Sequence, residues 1–267
     1  MASMFKYDDM ESITLPNPMS VDKSVIRTSI LPSLINTYEY NKARKVNDIL
    51  LYEIAKTYDV NYEETQKVAL LMKGNYITNS WNQTSVKVDF YLVKGIVENI
   101  LDYLGFKNRF SFEVDKNISE LHPGISARIL LDRKQIGIIG RIHPSLKKEE
   151  IYVCELAINP LMADIKPIKY KEANKYPEMI KDVAFILDNE ITSKEVEEVI
   201  KKSGGRLLSN IEVFDIYNNI EEGKKSMAYK LTFVDPTRTL TDDEVMEVFN
   251  KIIDDVTSKM NAKLRNN

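Results

Sequence analysis

The sequence predicts an α+β chain in two parts: an antiparallel sheet domain broken by a few helices, then a smaller β-α-β-β-α-β domain. Three observations carry this. Short apolar stretches up to residue 160 are separated by turn residues and do not alternate regularly with helices. From Lys181 to Arg265 strand and helix signals follow one another in the order just given. Between the two, Pro160, Pro167 and Pro177 frame a lysine-rich segment, Lys166 to Lys175, of the composition that joins domains. We expect domains over residues 1–165 and 174–267.

In the first part, Leu15-Pro16-Asn17-Pro18 is extended, because a residue before proline is pushed out of the helical region. Leu31-Pro32-Ser33-Leu34 opens a helix toward Lys45. Ile49 to Ala55 is apolar except for Glu53, a run that suits a strand buried on both faces or else a helix segment, with a partner needed for that carboxylate. Val68 to Lys73 is a second buried strand, stopped by Gly74. Phe90, Val93, Val97, Ile100, Leu101 and Leu104 share a helical face, and Gly105 ends that helix. Arg109 to Val114 alternates as a strand does, and Leu121-His122-Pro123-Gly124 reads as a turn. Ser126 to Leu131 and Gln135 to Arg141 form a hairpin around Asp132-Arg133-Lys134. Ile151 to Ile158 is a further strand.

The second part has firmer signals. Lys181 to Leu187 is a strand, and Thr192 to Glu195 is a capping box opening a helix that Gly204-Gly205 ends. Leu207 to Tyr217 follows as a strand. Past Gly223, Met227, Tyr229, Leu231 and Phe233 alternate with Ser226, Ala228, Lys230 and Thr232, the period of a strand with one buried face. Asp235-Pro236 ends it. Thr241 to Glu244 is a second capping box, before a helix with Val245, Val248, Phe249, Ile252, Ile253 and Val256 on one stripe. Ala262 to Arg265 closes the chain as a short strand. This order is the ferredoxin-like plait, with two helices on one face of the sheet and the other face open.

Composition narrows function. Residues 1–170 carry 22 basic and 21 acidic groups and residues 171–267 carry 15 and 19, so neither half has the bulk charge of a nonspecific nucleic-acid binder. The one cysteine, Cys154, excludes an internal disulfide, sits in an apolar strand and reads as core. The polar, acidic start MASMFKYDDMES does not read as a signal peptide, no long apolar run predicts a membrane span, and a cytoplasmic location is expected. There is no glycine-rich phosphate loop; Gly137-Ile138-Ile139-Gly140 has too few glycines. His122 and His143, each before a proline, lack zinc-site spacing and read as turns, so no metal and no catalytic residue is expected. Lys224, Lys225, Lys230, Arg238 and Arg265 gather around the third plait strand and the last one as candidate RNA-phosphate contacts. Phe214 and Tyr217 are three residues apart, so a regular strand puts at most one of them on the open face.

The stretches YPEMIKDVAFILDNEI, EVFDIYNNIEEGKKSMAYKLTFVDPTRTLTDDEV and NAKLR resemble the ferredoxin-fold anticodon-binding domain of bacterial phenylalanyl-tRNA synthetase β subunits. Upstream, LPNPMSVDKSVIRTSILPSLI, LLYEIA, SWNQTSVKVDFYLVKG, LHPGISARILL and IGRIHPSL resemble the catalytic-like domain of the same subunit, a truncated and silent class II synthetase fold. The chain departs from that pattern at Leu92, Ile96, Ile125, Arg141-Ile142 and Ile180. The resemblance implies the C-terminal part of a subunit in an α2β2 phenylalanine–tRNA ligase. It implies an α subunit, a second β subunit and the phenylalanine tRNA as partners. ATP and magnesium would serve the whole enzyme, and the chain alone would be inactive. The rival expectations are a freestanding RNA-binding protein and a scaffold.

Overall fold

The computed structural model describes residues 13–20, 24–79, 81–82, 84–162 and 174–265. The chain divides into two compact units, Met1–Lys169 and Tyr170–Asn267. Most of the lysine-rich segment expected between them, residues 166–173, lies outside the described residues, as does the acidic start.

The first unit contains α1 (Leu31–Lys42), β1 (Ile49–Tyr58), β2 (Glu64–Lys73), β3 (Asn75–Asn79), β4 (Thr84–Lys87), α2 (Phe90–Tyr103), β5 (Phe110–Val114), β6 (Leu121–Leu131), β7 (Lys134–Ile142), β8 (Tyr152–Ala157) and the short α3 (Asn159–Met162). Six strands form one antiparallel sheet in the order β1-β2-β8-β7-β6-β5, while β3 and β4 pair as a separate hairpin. Each face of the large sheet carries its own core. Leu31, Leu34, Ile35 and Tyr38 of α1 pack with Leu71, Ile138 and Val153 on one side. Val93, Val97 and Leu101 of α2 pack with Ile129, Ile139 and Leu156 on the other. Cys154 is buried there, and burial pushes its thiol far up, as an inert core side chain requires.

Helix α1 starts without a side-chain cap of its own. Its free N-terminal donors are met from β8: the buried Glu155 carboxylate accepts the Ile30 N–H at 2.6 Å and the Ser29 hydroxyl at 2.8 Å. Lys67 of β2 balances that charge at 3.0 Å. A carboxylate inside the apolar run of β8 is kept because a helix N-terminus, a hydroxyl and an ammonium all point at it.

Two first-unit elements differ from expectation. Strand β1 is an edge strand, not one buried on both faces: Leu50, Tyr52 and Ile54 form an exposed outer row, Tyr52 at 74%. Glu53 has the partners its position demanded, Arg27 at 2.9 Å and the Ser33 hydroxyl at 3.0 Å. Leu121 to Gly124 belongs to β6 and is no free turn; an irregularity between Leu121 and Ser126 lets His122-Pro123 sit inside the ladder without breaking it. The hairpin at Asp132-Arg133 is as expected, and both residues take positive φ, the backbone that matches the strand twist.

The second unit contains β9 (Met179–Asp188), α4 (Ser193–Gly204), β10 (Leu208–Glu221), β11 (Lys224–Phe233), α5 (Asp242–Met260) and β12 (Lys263–Leu264). The sheet order is β10-β11-β9-β12, so the first and third strands of the unit are central, as the plait requires. Both capping boxes form, at Thr192/Glu195 and Thr241/Glu244. Gly205 ends α4 with φ +57°, and Asn261 ends α5 in the left-handed region. Phe185, Tyr229, Leu231 and Phe233 fill the core with Val196, Ile200, Val245, Ile252 and Val256 of the two helices.

Candidate nucleic-acid interface

The uncovered face of the second sheet is built by alternation on three strands. Val183, Phe185 and Leu187 point β9 at the helices, which leaves Ile180, Asp182, Ala184 and Ile186 on the other side. On β11 the same rule leaves Ser226, Ala228, Lys230 and Thr232. Ser226, Ala228 and Thr232 are nonetheless buried, because small side chains in a central strand lie below their taller neighbours. They make the floor of the face.

Strand β10 supplies the wall. Glu212 pairs with Lys230 and Val213 with Tyr229, but the next pair is Asp215 with Ala228. Phe214 is the extra residue of a β-bulge, which resets the alternation. Asp215 and Tyr217 therefore fall on the open face with Glu212, and Phe214 joins them, its ring under the Lys230 ammonium at 5.7 Å. Phe214 is 49% exposed and Tyr217 59%. The expectation that only one of these rings reaches the open face is corrected by the bulge, which no spacing in the sequence announces.

The five candidate basic residues do not form one patch. Lys230 lies mid-face, flanked across the ladder by Glu212 and Asp182. Arg265 donates its backbone N–H to Ala184 at 2.9 Å and points its guanidinium at Ser226, 3.4 Å away, beside the Tyr217 pair. Lys224 shares that end of the face, 3.9 Å from Asp188. Lys225, one residue on, is on the helix side; its ammonium donates to the Asn189 carbonyl at 2.9 Å, and desolvation pushes its pKa down. Arg238 follows the far end of β11 and forks onto Glu244 at 2.8 and 2.6 Å. That fork, with the Thr241 N–H and hydroxyl, pulls Glu244 down to about 2. Arg238 is thus committed to the cap of α5.

The face therefore offers two exposed rings, four cations (Lys263, paired with Ile186, joins Lys224, Lys230 and Arg265) and several carboxylates. Phosphates find few unopposed charges on it, whereas base edges find acceptors in Asp182, Glu212 and Asp215. In the first unit the glycines of β7 have a structural cause: a Cβ on Gly137 would meet the Glu155 carbonyl at 2.2 Å, and one on Gly140 the Ile125 carbonyl at 2.6 Å. Arg141 beside them faces Glu150 at 3.6 Å, so this strand is no phosphate cradle. Among the described residues, no group of three or more His, Cys, Asp or Glu side chains is placed to hold a metal, and no helix is long and apolar enough to cross a membrane.

An antiparallel sheet that carries aromatic rings and cations on an uncovered face is the geometry of a module that takes unpaired bases. Residues 2–158 match the family model described as the phenylalanyl tRNA synthetase beta chain CLM domain, and residues 174–265 match the ferredoxin-fold anticodon binding domain. The chain belongs to this phenylalanyl-tRNA synthetase beta chain family. It is 38% identical to the phenylalanine–tRNA ligase beta subunit of Bacillus subtilis (strain 168), over 99% of this chain and 34% of that protein. The beta subunits of Listeria monocytogenes (strain EGD-e) and Geobacillus kaustophilus are 36% and 34% identical over the same shares of each chain. The chain thus spans about a third of the length of these relatives.

Proposed function

We propose that this chain serves phenylalanine–tRNA ligation as the C-terminal part of a beta subunit, by binding the anticodon side of the phenylalanine tRNA and by holding an alpha subunit. The observation that carries the reading is the open face of the plait, where Phe214 and Tyr217 both lie exposed beside a floor of small side chains. Unpaired bases stack on such rings, and Lys230 and Arg265 are placed beside them for the adjoining phosphates. Lys224 extends the same surface. Lys225 and Arg238 have structural partners and serve the fold in this reading.

The whole enzyme in this reading is a class II ligase of α2β2 composition working in the cytoplasm, with ATP and magnesium held by the alpha subunit. The first unit is then a silent copy of the catalytic fold, and no step of the reaction passes through it: Arg141 faces Glu150, and Arg128 faces Asp115 at 3.2 Å. What this unit offers instead is the exposed apolar row Leu50, Tyr52 and Ile54 on the edge strand β1, a surface suited to a partner chain.

Two measurements test the proposal together. The chain is expected to co-purify with an alpha subunit, and to bind a phenylalanine anticodon stem-loop in preference to a stem-loop of another anticodon. Alpha-subunit capture without RNA preference would leave a scaffold. RNA binding without capture would leave a freestanding RNA-binding protein.

A further inference from the structure

A second surface, far from β10 in sequence, has the opposite character. Helix α1 ends in Lys42, and Ala43 to Lys45 form the turn that follows. The segment after β7 is stapled to this end: Lys147 pairs with Glu39 at 2.6 Å, and Glu149 pairs with Lys42. Lys148, exposed between them, is thereby held at the same corner. Lys73 of β2 joins it by donating to the Asn47 carbonyl at 3.0 Å. Arg44 lies flat on the exposed Tyr40 ring, 3.3 Å from its centroid, and is fixed by a bond to the Tyr40 carbonyl at 2.9 Å.

Six basic side chains (Lys42, Arg44, Lys45, Lys73, Lys147, Lys148) thus meet the carboxylates of Glu39, Asp48 and Glu149, in a unit whose charges otherwise nearly balance. A helix C-terminus attracts cations, but that accounts for Lys42 in the last turn, not for lysines brought in from two other segments. Arg44, Lys45 and Lys148 have no carboxylate partner among the described residues. Here cations exceed acids and the nearest ring is already covered, so bases find no platform. The chemistry suits phosphates at fixed spacing.

We infer that this corner binds the phosphate backbone of a helical stem of the same RNA, separately from the plait. The inference rests on the reading that the chain works on tRNA. Its test compares full-length phenylalanine tRNA with the isolated anticodon stem-loop, using the whole chain. Replacing Arg44, Lys45 and Lys148 together by alanine is expected to lower the slope of log affinity against log salt for the full tRNA by about 2 to 3, roughly 0.9 for each phosphate that no longer meets a cation. Stem-loop binding is expected to stay as in wild type. The control replaces Lys107, Lys116 and Lys134, exposed and near the β5–β6 side of the sheet, with the same change in net charge. An equal fall in the control overturns the inference, because bulk charge would then explain it. So does a wild-type slope in the triple variant, loss of alpha-subunit capture in place of tRNA slope, or a wild-type chain that binds no tRNA. A fall in the triple variant alone, with no stem-loop binding by any form, would uphold this corner while removing the plait's role.

Discussion

In the first unit α1 covers one face of the six-stranded sheet and α2 the other; in the second, α4 and α5 cover one face and the other is left bare. Where a helix covers a face, the side chains of that face go into the core. What this unit leaves exposed is the β1 row, on the α2 side of the sheet but uncovered, and the basic corner at the end of α1. Where helices leave a face open, its side chains are free of the core, and the bulge in β10 puts two exposed rings on that face. The two surfaces also differ in chemistry: rings, cations and carboxylates mix on the plait, and cations outnumber carboxylates at the corner. Interior positions in this chain are therefore expected to report on stability, and open-face positions on the proposed RNA binding.

The largest expected effect tests the covered sheet. Glu155→Ala strips the N-terminus of α1 of its buried acceptor and takes the ion-pair partner from Lys67, so the first unit should lose about 3 kcal/mol. Urea unfolding followed by probes in each unit should show the plait unmoved. A plait that unfolds earlier by the same amount would mean the two units are not separately built.

On the bare face the order reverses. Phe214→Ala and Tyr217→Ala should each cost about 1–3 kcal/mol of stem-loop affinity while changing stability by no more than about 0.5 kcal/mol. A ring that costs stability and no affinity belongs to the core. A smaller effect sharpens the electrostatics. Glu212→Gln releases Lys230 from one of its two flanking carboxylates, so RNA affinity should rise slightly and its salt dependence steepen. A flatter salt dependence would show that Lys230 does not meet a phosphate.

The smallest effect concerns Arg238 and Glu244, which lie outside the proposed interface. Arg238, then the Thr241 backbone and hydroxyl, hold Glu244 at about 2, below its ordinary 4.5. A depressed carboxylate contributes stability that is present above about 4.5 and lost as pH falls toward 2. Plait melting should therefore drop across that window, and less steeply in Glu244→Gln. RNA binding at neutral pH should be the same in Arg238→Ala as in wild type.

Most elements of the chain are legible in its residues. Both capping boxes, the Met227-to-Phe233 alternation and the face of α2 follow from local pattern, because local sterics and one-sided burial determine them. What is not legible depends on pairing and packing between distant segments. An apolar run does not tell whether a neighbour lies beyond it, so the residues of β1 predict an interior strand when it lies at the edge. The need for an acceptor at Glu155 arises from a helix 125 residues away. The candidate face is half legible: Lys224, Lys230 and Arg265 share it, but alternation alone separates Phe214 from Tyr217. A bulge is set by pairing with a partner strand, and nothing within β10 records it.

In the proposed reading the plait holds RNA by its bases more than by its phosphates. This is tested most directly by titrating the phenylalanine anticodon stem-loop against salt with the wild-type chain and with the double variant Phe214→Ala, Tyr217→Ala. The expected result is that affinity falls by about tenfold or more at every salt concentration while the slope stays the same. Unchanged affinity in the double variant, or a loss that appears as a flatter slope, would contradict it.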